Sequence, residues 1–381
     1  MDARTRQVTA YDRGVPDRLP VTTHHVMTYF LDRYMGGISV AGFFDHFGLD
    51  PIRWIGPVAC DVAAGEELLP GDPLSFRTIS APNWRVSSEA LPHPQYQTVR
   101  HTITTPRGQL STVIQSNEHT GWVTERLLKH KTDIELIAEF MPTPRCDVAA
   151  VNRVSQEEGG RSLVRSNLLA FDIHGQPGTW QDAACLYGIE NLIYASFDDP
   201  SWVHAFLQVL HRRKLAYVRS LAGAEYDVLE LGGGDASSTV ISPRLFEQFV
   251  APYDSALIRA AHEAGQRIVY HTCGGMMPLL ERIADMGPDA METFTPPAMG
   301  GDVDLAEAKR RIGDRVCLVG GWDQFHFFQG CTPEQTRAEV RRCFEAAGAG
   351  GGFILSPSDH FFDADPELIM AFADEARRCA Y

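Results

Sequence analysis

From about Ser162 to the end of the chain, short apolar runs alternate with longer amphipathic segments, and this alternation constrains the fold more than any other feature. The apolar runs predict strands at Leu163–Leu169, Val228–Leu231, Arg267–His271, Ala290–Phe294, Val316–Gly320 and Phe353–Ser356. The segments between them predict helices at Pro200–Ala222, Pro243–Ala264, Met277–Met286, Asp304–Ile312 and Pro333–Ala347. Strands that alternate with helices are usually parallel and joined by right-handed crossovers. The pattern therefore predicts an α/β fold, either an open doubly wound sheet or a closed (β/α)8 TIM barrel.

Polar and reactive residues at the C-terminal ends of successive predicted strands favour the barrel, because barrel enzymes build their active sites at that end. We predict a single barrel domain, 1–381, that carries an N-terminal extension and an inserted region at 76–130. Within the insertion, two alternating segments, Tyr96–Thr104 and Gln109–Gln115, flank a turn at Thr105–Gly108. This arrangement predicts a β-hairpin.

The charge balance argues against some classes of partner. The chain has 34 Lys and Arg residues against 49 Asp and Glu residues, a formal net charge of −15. Such an acidic chain lacks the positive surface that binds nucleic acid or an anionic membrane. No apolar stretch reaches the roughly 20 residues that span a bilayer, and the first residues show no apolar signal core. The eight cysteines are sparse, and we interpret them as reduced thiols of a cytoplasmic protein.

A His-x-Cys pair at the end of a strand is the strongest chemical signal in the sequence. His271 and Cys273 follow an apolar run, with two glycines immediately behind them. Residues i and i+2 of a strand project to the same side, so both side chains could enter the mouth of the barrel. Imidazole and thiolate are a common zinc pair. A structural pair or a cysteine nucleophile would also explain these residues.

Other strand ends carry further candidate residues. Glu292 is a charged residue within an apolar strand, where burial is costly without a partner; it is either half of an ion pair, a metal ligand or an acid–base group. Asp323 either caps the next helix or takes part in catalysis. Asp359 and His360 follow the last strand, and each can bind zinc or carry a proton.

Cofactor-binding candidates are fewer. Gly233 and Asp235 follow the strand Val228–Leu231, where glycine would let a ligand approach the backbone, and Trp322 follows a later strand. No Gly-x-Gly-x-x-Gly motif follows a strand, which argues against a nicotinamide cofactor. The segment Asp172–Pro177 resembles the Asp-x-His-x-x-Gly signature of corrinoid-binding modules, but proline stands where the glycine is required.

Several motifs in the C-terminal half, in matching order and spacing, resemble those of the uroporphyrinogen decarboxylase superfamily. The matching segments are Ile241–Tyr253, His271–Gly274, Gly301–Leu305, Gly320–Asp323 and Gly351–Pro357. The resemblance extends over roughly residues 227–378 and implies a (β/α)8 barrel. The superfamily includes tetrapyrrole decarboxylases and zinc-dependent, corrinoid-linked methyltransferases.

Two features make the chain more similar to the methyltransferase branch. The segment Leu19–Met27 contains no arginine, whereas the decarboxylases use an arginine-rich signature near the N-terminus to bind the carboxylates of a tetrapyrrole. The decarboxylases also do not need His-x-Cys. The methyltransferases usually take another zinc ligand, a cysteine, from the loop after the last strand. In that loop this chain has Asp359, with His360 adjacent, so either residue is a candidate for the ligand.

The resemblance implies a zinc site formed by His271, Cys273 and Asp359, or His360 in its place, with Glu292 nearby. A methyl group would move between a small O-, S- or N-methylated compound, or a thiol, and the cobalt of cobalamin on a partner corrinoid protein. Glu292, Asp323 and His360 are the candidate catalytic residues, and a homodimer is possible. One alternative is a cofactor-free decarboxylase of a carboxylated substrate. A non-catalytic barrel is disfavoured by the polar strand ends.

Overall fold

The computed structural model describes residues 1–56, 59–60, 65–69 and 78–381. The strands are β1 (Ile52–Trp54), β2 (Ala59–Cys60), β3 (Glu67–Leu68), β4 (Ile79–Ser80), β5 (Arg85–Leu91), β6 (Gln97–Thr105), β7 (Gly108–Ser116), β8 (Gly121–Glu125), β9 (Arg145–Cys146), β10 (Leu163–Asn167), β11 (Val228–Gly232), β12 (Ile268–His271), β13 (Ala290–Thr293), β14 (Cys317–Trp322) and β15 (Phe353–Pro357). The α-helices are α1 (Ala3–Tyr11), α2 (Thr28–Tyr34), α3 (Val40–Phe47), α4 (Ile134–Phe140), α5 (Val148–Glu158), α6 (Thr179–Tyr187), α7 (Ile189–Asp198), α8 (Pro200–Arg219), α9 (Pro243–Leu245), α10 (Ala251–Glu263), α11 (Leu280–Met286), α12 (Leu305–Ile312), α13 (Gln324–Phe327), α14 (Pro333–Ala347) and α15 (Pro366–Arg378).

Seven strands form one parallel sheet, in the order β1, β10, β11, β12, β13, β14, β15. Between the two edges of this sheet, Val21 forms a parallel bridge with Leu355 of β15. On its other side, the carbonyl oxygen of Val21 accepts the N–H of Asp50, just before β1, at 2.7 Å. This one-residue bridge occupies the position of an eighth strand and joins the edges. The predicted α/β class is confirmed.

The strand register decides which side chains meet inside the sheet. His271 is paired with Gly232 of β11 on one side and with Glu292 of β13 on the other. Every residue of β11, β13, β14 and β15 is buried, and parallel strands covered on both faces are normally continuous apolar runs. Buried charges in such strands, at Arg165, Glu230 and Glu292, therefore mark the interior of the barrel as a polar site.

Capping residues set several helix boundaries as the sequence predicts. The hydroxyl of Thr332 accepts the Gln335 N–H at 3.3 Å, and the Gln335 side chain accepts the Thr332 N–H at 2.8 Å, so α14 begins at Pro333. The predicted helix Pro243–Ala264 is instead divided into α9, a π-helical turn at Phe246–Val250, and α10. Single π turns of this kind are local insertions that periodicity does not reveal.

The sequence from His24 to Met35 predicts a helix, but the segment after Val21 is not helical before Thr28. Helix α2 begins only at Thr28. The Trp54 indole N–H donates to the His24 carbonyl oxygen, and the Thr23 hydroxyl donates to the His25 carbonyl oxygen at 3.0 Å. These bonds use carbonyl groups that a helix would need for its own ladder, so His24, at a bend, and His25 stay outside the helix.

The predicted hairpin forms the centre of an antiparallel sheet, β5-β6-β7-β8. Its turn is where the sequence predicts it, because Thr105 at the end of β6 pairs with Gly108 at the start of β7. Residues 76 and 77, at the start of the predicted insertion, lie outside the described residues. Of the helices that are described, none combines the length and apolar character needed to cross a bilayer.

Candidate functional site

A buried network of charges lies inside the barrel, and Arg165 of β10 is at its centre. The Arg165 guanidinium donates to Glu230 Oε2 at 2.6 Å, to Glu292 Oε2 at 2.9 Å, and also to Glu292 Oε1. Its side chain is fully buried. A buried charge is tolerated only when other charges and hydrogen bonds compensate it. Two carboxylates from neighbouring strands provide this compensation, and we call the three residues the charge network.

The charge network holds Glu292 in its ionised form. Burial alone would raise the pKa of Glu292, but the Arg165 guanidinium and a hydrogen bond from His271 outweigh it and keep that pKa well below its usual range. Burial opposes the charge of Arg165 as well, yet Glu292 and Glu230 raise the pKa of Arg165. Glu292 is therefore a fixed, charged hydrogen-bond acceptor.

His271 connects the charge network to Cys273. Its Nδ1 lies 2.9 Å from Glu292 Oε1, and its Nε2 lies 2.9 Å from Cys273 Sγ. Since ionised Glu292 can only accept, Nδ1 carries a proton and donates it. Burial disfavours the cationic form of His271, but the charges of Cys273 and Glu230, together with these hydrogen bonds, raise its pKa well above the usual value.

The zinc that the resemblance implies fits this arrangement of donors. Histidines that bind metal usually donate their second ring N–H to a carboxylate, and Glu292 already accepts it from His271. Tetrahedral zinc places a nitrogen and a sulfur ligand about 3.6 Å apart, from bonds of about 2.1 and 2.3 Å. His271 Nε2 and Cys273 Sγ are 2.9 Å apart, so they need to separate by less than 1 Å. Both side chains are partly exposed, which leaves the pair accessible.

Comparison with known proteins assigns the family. The family description "Uroporphyrinogen decarboxylase (URO-D)" matches residues 173–379, more than half of the chain. The chain belongs to the uroporphyrinogen decarboxylase family. The resemblance that the sequence motifs indicate is thereby confirmed.

The names of the chain's relatives give two kinds of activity, decarboxylation and methyl transfer. A uroporphyrinogen decarboxylase of Psychromonas ingrahamii is 32% identical over 189 residues, which are 47% of this chain and 49% of that protein. A methylated-thiol–coenzyme M methyltransferase of Methanosarcina mazei is 29% identical over 161 residues, 42% of this chain and 41% of that protein. The chain thus spans about half the length, or less, of these curated relatives.

One solved structure matches nearly the whole chain. A methyltransferase from Methanosarcina mazei superposes with a TM-score of 0.60 and covers 99% of both chains, at 15% sequence identity. At this identity the likeness concerns the fold alone. Together with the closed parallel sheet, this likeness confirms the predicted TIM-barrel architecture.

Among the sequence-predicted site residues, the structure brings His271, Cys273 and Glu292 together. The loop after β15 places His360 beside His24, with ring centroids 5.7 Å apart, and adds neither Asp359 nor His360 to this cluster. Two groups of three ligand side chains have atoms within 4.8 Å of one another among the described residues, namely His24–His25–His360 and Glu230–His271–Glu292. Neither group includes Cys273 or Asp359. Asp359 Oδ1 accepts the backbone N–H of His360 at 2.7 Å.

Asp323 and Trp322 occupy structural positions. Asp323 is buried and caps α13, because its Oδ1 accepts the His326 N–H at 3.1 Å; this is the capping role that the sequence offers as one alternative. Trp322 is fully buried and packs against Phe328 and Phe372, with ring centroids 5.5 and 4.5 Å away. The contacts of Trp322 are thus those of a core residue rather than of a cofactor-binding surface.

Gly233 and Asp235 both contact Gln181 of α6. The Gln181 side chain donates to Asp235 Oδ2 at 2.9 Å and accepts the Asp235 N–H at 2.6 Å. A Cβ atom at Gly233 would lie 2.4 Å from Gln181 Cγ. The glycine is therefore required for packing of this side chain. Burial raises the pKa of Asp235, with the Gln181 hydrogen bond opposing the shift.

Sequence reasoning missed four residues of this region: Arg165, Glu230, His24 and His25. Arg165 and Glu230 lie within apolar strands. A charged residue in an apolar strand is the signal that points to Glu292, and the same signal could have identified these two residues. The two histidines lie in a segment predicted to be helical. His25 stacks on Trp54 with ring centroids 4.7 Å apart, and Trp54 lies 4.6 Å from the Arg165 guanidinium carbon. The histidines are thus packed onto the charge network.

Proposed function

We propose that this protein is a methyltransferase that moves a methyl group between a small O-, S- or N-methylated compound, or a thiol, and the cobalt of a corrinoid carried by a separate protein. The observation that carries the proposal is the contact of His271 with Cys273, oriented by Glu292. The activity named for the Methanosarcina mazei relative agrees with it. The seven cysteines whose side chains are described are free thiols, which supports a cytoplasmic setting.

His271 and Cys273 would hold a zinc ion, with Asp359 or His360 from the loop after β15 as a further ligand. Bound zinc would act as a Lewis acid on the heteroatom that gains or loses the methyl group. A mixed nitrogen and sulfur donor set, partly exposed at a strand end, is suited to a site that keeps one position open for substrate.

The protein's own residues fix the orientation of this site. Glu292 accepts the Nδ1–H of His271 and so directs Nε2 towards Cys273. Arg165 keeps Glu292 ionised and immobile through two hydrogen bonds. Glu230 binds the same guanidinium from the other side. We propose that Glu292 is a positioning residue, whose charge reaches the reacting atoms only through His271.

Metal content and methyl transfer, measured on the same preparations, test the proposal. We expect one tightly bound zinc ion at this site and zinc-dependent transfer of methyl from methylcobalamin to a small thiol. Cys273→Ser should lose that zinc and slow the transfer about 100-fold or more, since Lewis-acid stabilisation is worth several kcal/mol. Cys331→Ser is the matched control, because Cys331 lies near the start of α14 and contacts Thr336.

A decarboxylase is the second candidate, because relatives such as that of Psychromonas ingrahamii carry this name. Arg165 would be the natural partner of a substrate carboxylate at this site, but Glu230 and Glu292 already pair with it. Release of carbon dioxide from a carboxylated substrate by the metal-free protein would support decarboxylation. That result, together with full activity of Cys273→Ser, would overturn the methyltransferase proposal.

A further inference from the structure

Three histidine rings meet beside the charge network, and we call them the histidine triad: His24, His25 and His360. The ring centroids are 4.8 Å apart for His24 and His25, 5.1 Å for His25 and His360, and 5.7 Å for His24 and His360. One nitrogen from each ring lies within 4.8 Å of the others. The rings come from opposite ends of the chain and converge between the Val21 bridge and the last strand.

Two nitrogens of the histidine triad are buried without a hydrogen-bond partner among the described residues. They are His24 Nε2 and His360 Nδ1. His24 gives the stronger evidence, because the residue is only 3% exposed and solvent therefore has little access to its unpaired nitrogen. Buried polar atoms almost always have a partner, so an unpaired nitrogen on an imidazole ring that lies beside two other imidazoles indicates a missing ligand.

The surrounding residues hold the histidine triad in place. The Trp54 indole N–H donates to the His24 carbonyl oxygen, and the Trp54 ring stacks on His25 at an interplanar angle of 14°. The backbone of His25 is fixed by the Thr23 hydroxyl at 3.0 Å. These contacts fix the backbone of His24 and His25, so less backbone freedom is lost when a ligand binds.

The other group of three potential ligands does not offer a comparable site. Glu230, His271 and Glu292 surround a cation that the protein itself provides, the Arg165 guanidinium, which bonds to both carboxylates. A metal ion there would either have to displace the fully buried Arg165 guanidinium or be repelled by its positive charge. The histidine triad instead has a carboxylate beside it, because Asp359 Oδ1 lies 3.4 Å from His360 Nδ1.

We propose that His24, His25 and His360 form a second metal site, which takes a divalent transition metal such as zinc through three imidazole nitrogens. Imidazole suits zinc, copper, iron and nickel, and three protein ligands leave a fourth position open. Zinc–nitrogen bonds of about 2.1 Å require the nitrogens to approach to roughly 3.4 Å. Partly exposed His25 and His360 can turn towards buried His24.

This site would lie next to the His271–Cys273 pair, since the rings of His24 and His271 are 5.8 Å apart. With His360 in the histidine triad, Asp359 is left as the candidate for the third ligand of the zinc proposed at His271 and Cys273. The inference concerns a different set of ligands and does not depend on methyl transfer. With this second site, the barrel mouth would bind two metal ions instead of one.

Metal counting on the full-length, untagged protein tests this inference. Protein stripped with a chelator is equilibrated with Co²⁺ or Zn²⁺, desalted, and its metal content measured. We expect two ions per chain in the unaltered protein. His25→Gln and His360→Gln should each lose one ion and keep the thiolate-to-cobalt absorption. Cys273→Ser should lose the other ion together with that absorption. His46→Gln, at an exposed position of α3, is the control and should keep both.

The outcomes separate this inference from the proposed function. If Cys273→Ser changes nothing but the histidine variants still lose an ion, the histidine triad stands and the proposed zinc site fails. If both histidine variants keep the full metal content, the inference is overturned. It is also overturned if all three variants lose one and the same ion, because the ligands would then belong to a single site. Thermal unfolding of each variant checks that it is folded.

Discussion

At the scale of single residues, the site depends on a buried arginine whose charge is compensated by two carboxylates. Arg165 Nη2 donates to Glu230, and Arg165 Nη1 donates to Glu292. Removing one partner from a buried pair costs more than the pair contributes, because an uncompensated charge remains. The same carboxylate also orients His271, so a single change should affect both folding and metal binding.

We therefore predict two effects of Glu292→Gln. The free energy of unfolding should fall by about 3–5 kcal/mol, because Arg165 loses half of its compensation. The affinity for zinc, measured by competition with a chelator, should fall about 10–100-fold, since the outer partner of His271 is lost. Glu281→Gln is the control. Glu281 pairs with Arg311 on the surface, so its loss should change stability by no more than about 1 kcal/mol. An unchanged zinc affinity in Glu292→Gln would contradict the positioning role.

Sequence could reveal some of these residues but not their pairing. Glu292 is conspicuous as a charge in an apolar strand, and His271 with Cys273 as a strand-end pair. Arg165 and Glu292 are 127 positions apart, and periodicity does not say which buried charges will meet. The histidine triad was hidden for another reason. Trp54, 30 positions away, bonds to the His24 carbonyl and Thr23 to the His25 carbonyl, and these bonds replace the helix that the local pattern predicts.

At the scale of elements, the closure of the barrel rests on one buried carboxylate. Asp50 accepts the N–H of Val21 at 3.0 Å, and its Oδ1 binds Arg6 at 2.7 Å and Arg18 at 2.9 Å. Asp50 is 1% exposed. It thus holds the Val21 bridge between the two sheet edges, and it fixes the segment that continues into His24.

Asp50→Ala should therefore weaken the closed barrel. Buried Arg6 and partly buried Arg18 would each lose one carboxylate partner, and the Val21 N–H would lose its side-chain acceptor. We expect the free energy of unfolding to fall by about 3–5 kcal/mol. Denaturant unfolding measures this change. Asp45→Ala, at an exposed position of α3, serves as the control and should stay within about 0.5 kcal/mol. Equal stabilities of the two variants would mean that the Val21 bridge does not need Asp50.

The positions of helices and strands were predictable where the local sequence marks their ends. The strand β15 and the helix α14 lie within a residue or two of their predicted bounds, because hydrophobic periodicity and a capping threonine mark them. The helices α6 and α7 lie in a stretch with no predicted element, and the π turn at Phe246–Val250 divides a helix whose sequence pattern is continuous. A π turn is a local insertion into the helical ladder that periodicity does not reveal.

At the scale of the whole molecule, the barrel mouth gathers groups from the N-terminal segment and from most of the strands, while the rest of the fold contains buried ionisable groups unrelated to this site. His211 of α8 is one of them. It is 8% exposed, and its Nδ1 has no hydrogen-bond partner among the described residues. Burial, together with the positive charge of Lys214, lowers the pKa of His211 to about 4.

This shift predicts a loss of stability in mild acid. In the unfolded chain a histidine has a pKa near 6.5, so between about pH 6.5 and pH 4 the unfolded state binds a proton that folded His211 does not. The free energy of unfolding should fall as pH decreases through this window, because the state that binds more protons is favoured. His211→Gln removes the titrating group, and its stability should depend less on pH over the same range. His46→Gln changes an exposed histidine and should retain the dependence of the unaltered protein. Chemical denaturation at several pH values gives both slopes, and an identical slope for the two variants would show that His211 is accessible to protons in the folded protein.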